Sequence, residues 1–266
     1  MSKSLVQSQF GANAEHYLSS SVHAKGASLA RLVDLVQPKP DWRMLDIATG
    51  AGHTAAAFAP HVAEAVASDL TPQMLQQAEK LAQSRGLANM VTKPADAEAL
   101  PFPDASFDLV TCRIAAHHFP DARKFVSEVK RVLKPGGTFA FVDNVSPDTD
   151  TTPGFSATEL ADAARTYNTL EKIRDPSHGR ALTTSEWRHL CEGVGLKVTH
   201  IEHSPKAMSF DLWCKNQSVP ADLVPGLADT LRNAKPAFAA FLKPTDGDEG
   251  LGFTLTELIL IARKPA

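Results

Sequence analysis

The run Trp42-Arg43-Met44-Leu45-Asp46-Ile47-Ala48 leads into Thr49-Gly50-Ala51-Gly52, and helix-forming residues follow over 54–58. A short apolar run of this kind is a buried strand, and paired glycines after it make a tight turn into a helix. Glycine tolerates positive φ and lets a ligand come close to the backbone. The helix start beyond it presents oriented N–H donors. This combination points to an open α/β sheet with a ligand cradle at the carboxyl end of its first strand.

The rest of the chain keeps that rhythm. Residues 27–36 read as a helix with Leu29, Leu32, Val33 and Val36 on one face, stopped by Pro38 and Pro40. A second strand is expected over 62–67, ending at Ser68-Asp69. Thr71 then acts as an N-cap, with Pro72 at the first helical position. Strands are expected at 90–93, 107–112 and 138–142, with a helix over 121–132 closed by Lys134-Pro135-Gly136-Gly137. Strands alternating with helices imply a parallel sheet covered on both faces. After Val142 the pattern changes: helices over 156–174, 184–194 and 221–234, and two late strands over 196–201 and 253–262. The segments 145–185 and 204–250 are too long for plain turns and are expected to cover the site.

Composition narrows the function. The chain has 266 residues, 43% of them hydrophobic, enough for one large α/β domain and too few for two. The formal net charge is -3 and the basic residues form no run, so the chain is not expected to bind nucleic acid. Cys112, Cys191 and Cys214 include no CxxC pair, which argues against a disulfide framework or a zinc site and for reduced, buried thiols in the cytoplasm. Residues 1–10 do not read as a signal peptide, and no apolar stretch approaches the roughly 18 residues of a membrane span. No metal site is expected.

Gly50-Ala51-Gly52-His53-Thr54-Ala55 also fits the dinucleotide pattern GxGxx(G/A), and Asp69 stands where a ribose-binding acid belongs. Three features weigh against a nicotinamide cofactor. Asp46, just before the glycines, would repel a pyrophosphate, yet suits a cofactor bearing an ammonium and a sulfonium. Asp96, within Asp96-Ala97-Glu98-Ala99-Leu100-Pro101-Phe102, can accept from an adenine amino group. The tyrosines are Tyr17 and Tyr167, and Tyr167 is followed four residues later by Glu171, not by a lysine.

Residues 45–54, 68–75, 96–102 and 106–110, with Arg113-Ile114-Ala115-Ala116-His117-His118-Phe119 and Leu133-Lys134-Pro135-Gly136-Gly137, occur in a familiar order. They resemble the Rossmann-like, S-adenosylmethionine-dependent methyltransferases of the type 11 group, related to the ubiquinone and menaquinone C-methyltransferases. Residues 10–17 and 174–178 add a likeness to small bacterial methyltransferases near the quinone enzymes. The resemblance implies a doubly wound, seven-stranded mixed sheet of order 3-2-1-4-5-7-6, its last strand antiparallel, with helical lid insertions. A single domain is expected: lid helices over 1–37, a cofactor-binding core over 38–145, substrate-side helices and lid with strand six over 146–252, and a final strand over 253–266.

The resemblance also implies the cofactor contacts. Gly50 and Gly52 lie along the methionine part, and Asp46 organises the turn and reaches the ammonium. Asp69 takes the ribose hydroxyls, Leu70 and Met74 sandwich the adenine, Asp96 and the Ala97 N–H read its edge, and Arg113 lines the methionine side. Tyr17, in an N-terminal segment that folds over the cofactor in look-alike enzymes, is expected to bond its carboxylate, with simple packing as the alternative.

Methyl transfer needs alignment, exclusion of water and sometimes a base. His117 and His118 follow the fourth strand, where open α/β sheets bind ligands, and either could take a proton near neutral pH. His117 is expected to be the freer of the two. His178, in the loop Arg174-Asp175-Pro176-Ser177-His178-Gly179-Arg180, is a further candidate, with a surface turn as the alternative. His53 is expected to point to solvent, and Trp42, Trp187 and Trp213 to pack in the core or lid. Phe155, Trp187, Met208, Phe210, Trp213, Phe238 and Phe241 suit an aromatic or quinone-like acceptor, and also suit an ordinary core. The expected function is methyl transfer to carbon, oxygen or nitrogen of a small acceptor, by a monomer or homodimer without stable membrane insertion. The alternatives are a cofactor-binding protein of the same fold with a non-methylating role, and an NAD-dependent oxidoreductase.

Overall fold

The computed structural model describes residues 3–5, 7, 10–11, 26–248 and 250–266. The elements in order are α1 (Ala27–Val36), β1 (Arg43–Ile47), α2 (His53–Phe58), β2 (Glu64–Asp69), α3 (Pro72–Ser84), β3 (Met90–Pro94) and β4 (Phe107–Arg113). They continue with α4 (Ala122–Val132), β5 (Leu133–Asn144), α5 (Ala157–Arg174), α6 (Thr184–Gly193), β6 (Lys197–Ser209) and α7 (Phe210–Lys215). The chain closes with α8 (Val224–Arg232), α9 (Pro236–Leu242), β7 (Thr245–Gly247) and β8 (Gly250–Arg263).

The sheet order is β3-β2-β1-β4-β5-β8-β6, and β7 pairs with β8. With that short hairpin strand set aside, this is the expected order. β1 pairs in parallel with β2 and β4, β2 with β3, and β4 with β5. β8 runs against β5: the Gly136 N–H donates to the Lys264 carbonyl, and the Val145 N–H to the Thr256 carbonyl. The partner's number falls as the donor's rises, which is the antiparallel signature.

Contacts divide the chain into two compact units. The first holds the residues up to Asp143, Arg188–Glu202 and Ile259–Ala266. Its central strands are buried on both faces, and Met44, Leu45, Phe107, Leu109 and Val110 are fully buried. α1 closes one side through Leu29, Leu32 and Val36, each worth about 1.5–3 kcal/mol on burial. α3 packs closely on the glycine turn: a Cβ on Gly52 would stand 2.9 Å from Ala78 Cβ and 2.8 Å from Met90 Cε.

The second unit is Asn144–Trp187 with His203–Leu258. It has its own core, in which Tyr167 and Leu170 of α5 meet Phe210 and Trp213 of α7, Phe238 and Phe241 of α9, and Phe253 of β8. Phe155 and Met208 pack against that cluster. These aromatics are therefore core, and the acceptor preference drawn from them in the sequence loses its support.

Among the described residues, no helix is long and apolar enough to cross a membrane, and no cluster could hold a metal ion. The three cysteines are buried and free.

Candidate active site

A cavity of about 1070 Å³, counted to its open mouth, lies at the carboxyl ends of β1, β2 and β4 in the first unit. Its walls follow from the strand ends. β1 delivers Asp46, β2 delivers Asp69 and β4 delivers Arg113. The turns beyond them carry unusual backbone: Ala48, Gly50 and Ile114 have φ of 51°, 55° and 54°. Left-handed backbone at a β-branched residue costs about 1–2 kcal/mol, and such strain gathers at functional sites. Ile114 is held there by donating its N–H to the Val142 carbonyl at 2.7 Å.

Asp46 is the most enclosed charge of the site, at 1% exposure. Its Oδ1 accepts the Thr111 hydroxyl at 2.6 Å, and its Oδ2 accepts the Thr49 hydroxyl at 2.5 Å and the Ala55 N–H at 3.2 Å. Burial pushes its pKa up to about 6, against the pull of those donors and of Arg113. Arg113 Nε donates to the Thr54 hydroxyl at 3.0 Å. Asp69 ties two turns together, since its Oδ2 accepts the Gly50 N–H at 2.9 Å and its Oδ1 the Thr71 N–H at 2.8 Å. Burial raises its pKa, and the Thr71 and Gly50 donors oppose the rise. Thr71 stands at the N-cap of α3, although its hydroxyl makes no capping bond.

At the other end, Leu70, Met74, Ala95, Asp96 and Ala97 line the wall. Asp96 Oδ1 accepts the Glu98 N–H at 3.0 Å, while Oδ2 meets Lys3 Nζ at 2.6 Å. Lys3 also reaches Glu98 Oε2 at 2.8 Å. Burial opposes ionisation of Asp96, and Lys3 with the Glu98 N–H outweighs it, leaving the pKa below the ordinary value. Gln7 Nε2 donates to the Leu70 carbonyl at 2.9 Å. Phe10 meets His118 edge to face at 5.0 Å, and both line the cavity.

One wall thus holds Asp46, Gly50, Asp69, Leu70, Met74, Asp96, Ala97, Arg113 and His118 together. Gly52 is not in it: its backbone faces α3 and β3, so its lack of a side chain serves packing. His117 is not in it either. The expectation that His117 is the freer imidazole is corrected, because Asp143 accepts both its backbone N–H at 2.9 Å and its ring Nδ1 at 2.6 Å. His178 lies in the second unit, 3% exposed, with Nε2 2.9 Å from Asn168 Oδ1. Tyr17 lies outside the described residues.

Sequence reasoning missed several residues. His53 is 5% exposed and lines the cavity, where solvent was expected, because it opens α2 directly beyond the left-handed Gly52. Thr111 could have been found from the β1–β4 register, which sets it opposite Asp46. Asp143 had no local signal: it meets His117 across 26 residues.

The methyltransferase-domain family profile matches residues 45–141. The uncharacterized methyltransferase YcgJ of Bacillus subtilis is 39% identical over 216 residues, covering 81% of each chain. This chain belongs to the S-adenosylmethionine-dependent methyltransferase family. The crystal structure of the Bacillus subtilis YcgJ protein superposes with a TM-score of 0.82 at 35% identity, over 90% of this chain and 98% of that one. A demethylmenaquinone methyltransferase of Thermus thermophilus is 41% identical to this methyltransferase over 119 residues, 44% of this chain and 54% of that one.

Proposed function

We propose that this methyltransferase binds S-adenosylmethionine in the cavity of its first unit and methylates a small acceptor of the quinol or phenol class. The observation that carries the binding mode is the gathering of Asp69, Asp96 and Gly50 around one cavity. The residues fit that cofactor. Gly50 lines the wall with φ of 55°, and a Cβ built on it meets nothing within 4 Å, so its backbone faces open space. Asp69 offers a carboxylate to a ribose diol, and the apolar Leu70, Met74 and Ala97 flank an adenine. Asp46 and Arg113 put one negative and one positive group beside an amino-acid end.

When bound, S-adenosylmethionine supplies a methyl group already activated on positively charged sulfur. Everything else falls to the chain. Asp69 and Asp96 orient the nucleoside end, the turns at Ala48 and Ile114 shape the wall, and Phe10 packed on His118 takes up space that water would fill. His118, which lines the cavity, is the group able to hold an acceptor proton. The quinol class is supported by the partial likeness to the demethylmenaquinone methyltransferase, which covers 44% of this chain.

Incubation with methyl-labelled S-adenosylmethionine and a panel of quinols, catechols, phenols and amines tests the reading. Labelled product with a quinol or phenol, and one S-adenosylhomocysteine per methyl, is expected. Product with amines alone would overturn the acceptor class.

A further inference from the structure

Glu98 lines the cavity with a side chain 9% exposed, and each of its oxygens meets a different segment. Oε2 meets Lys3 Nζ at 2.8 Å. Oε1 accepts the Asp121 N–H at 2.7 Å, across 23 residues. Asp121 is the N-cap of α4, and its own carboxylate accepts the Lys124 N–H at 3.0 Å. In a capping box the side chain at the third helical position takes the N-cap's backbone N–H in return. Here that position is Lys124, whose ammonium can only donate. Glu98 supplies the missing acceptor from a distant part of the chain, and its negative charge suits the start of a helix.

The three residues ahead of this cap, His118, Phe119 and Pro120, line the cavity. Phe119 meets the Phe125 ring edge to face at 4.9 Å, which fastens the wall to its own helix. Glu98 fastens it to the segment that carries Asp96, since the Glu98 N–H donates to Asp96 Oδ1 at 3.0 Å.

We propose that Glu98 is a positioning residue that completes the α4 cap and so holds the His118–Pro120 wall at a fixed distance from the nucleoside wall. The acceptor then meets the activated methyl in one alignment. The inference rests on the methyl-transfer reading above.

E98Q and E98M, each in a K3A background, give the test, because K3A removes the Lys3 contact and leaves the cap. Glutamine keeps an oxygen for the Asp121 N–H. Methionine has the same length and no oxygen. Amide hydrogen exchange of the full-length protein, read at Asp121 in proton–nitrogen spectra, follows the bond. Protection is expected in the wild type, K3A and K3A/E98Q, with exchange about 10-fold or more faster in K3A/E98M. With 1,4-dihydroxynaphthalene as acceptor, kcat of K3A/E98M should fall about 10-fold or more below that of K3A/E98Q, while KM for S-adenosylmethionine holds.

An Asp121 amide that exchanges in the wild type as fast as an exposed loop amide overturns the proposal whether or not the variants fold. So does equal exchange, or equal kcat, in the two double variants. A wild type that methylates no quinol or phenol would overturn the acceptor reading instead, and exchange at Asp121 would still decide whether Glu98 holds the wall.

Discussion

Asp69 and Gly50 stand 19 residues apart, and the Gly50 N–H donates to Asp69 Oδ2 at 2.9 Å. The same carboxylate accepts the Thr71 N–H at 2.8 Å. One buried acid thus fixes the turn after β1 to the turn after β2, and it lines the cavity between them. D69A leaves two backbone donors without their acceptor, which should destabilise the protein by about 1–3 kcal/mol. It should also lower S-adenosylhomocysteine affinity by at least about 100-fold, since the ribose loses its charged acceptor. Urea unfolding and calorimetry read the two effects separately.

The two glycines of the turn should respond in opposite ways. At Gly52 a Cβ would come within 2.8–3.0 Å of Met90 and Ala78, at a φ of 88°. G52A should cost about 3 kcal/mol of stability from overpacking and backbone strain together. At Gly50 a Cβ meets nothing within 4 Å, so G50A should cost about 1 kcal/mol, from φ alone. The added methyl stands toward the cavity, so G50A should weaken cofactor binding more than it weakens the fold. Equal losses of stability in the two variants would contradict this.

Asp46 makes stability depend on pH. Burial raises its pKa from the ordinary 3.8 to about 6. An acid with a raised pKa holds its proton more tightly in the fold than in the unfolded chain. Its contribution is therefore most favourable below pH 3.8 and declines as pH climbs through about 6. The full difference is about 3 kcal/mol. D46N removes this titration, so its stability relative to the wild type should improve by up to that amount between about pH 4 and pH 7. A difference independent of pH in urea unfolding would refute it.

Lys3 bridges Asp96 and Glu98 at 2.6 and 2.8 Å, at the end of the cavity proposed above for the adenine. Its side chain is 38% exposed, so the clamp should be sensitive to salt. K3A should speed S-adenosylhomocysteine dissociation several-fold at about 50 mM salt and much less at about 500 mM. Stopped-flow displacement measures this, and identical rates at both salt concentrations would count against the clamp.

The fold was legible where pattern and period agree. Apolar runs leading to Asp46, Asp69 and Arg113 marked the three strand ends that build the cavity, and the glycine turn marked Gly50 in its wall. The expected helix over 156–174 is α5, and the one over 221–234 is α8. The expected strand over 138–142 starts earlier, at Leu133. Lys134-Pro135-Gly136-Gly137 reads as a helix stop, yet the pairing runs on through it: the Gly136 N–H, at φ of 76°, donates to the Lys264 carbonyl, and the Lys264 N–H donates to the Gly137 carbonyl. The short α7 and α9 escaped notice because six or seven residues carry little periodicity. Within the site, residues beside a motif were readable. Asp143 and Lys3 were not, because each acts on a partner 26 or 93 residues away, and Thr111 needed the register of β1 with β4 to be worked out first.

Calorimetric titration of the full-length protein with S-adenosylhomocysteine, beside NAD, tests the central claim most directly. The account predicts one tight site for S-adenosylhomocysteine, none for NAD, and loss of that site in D69A. Binding that survives D69A unchanged, or a wild type that binds NAD instead, would contradict it.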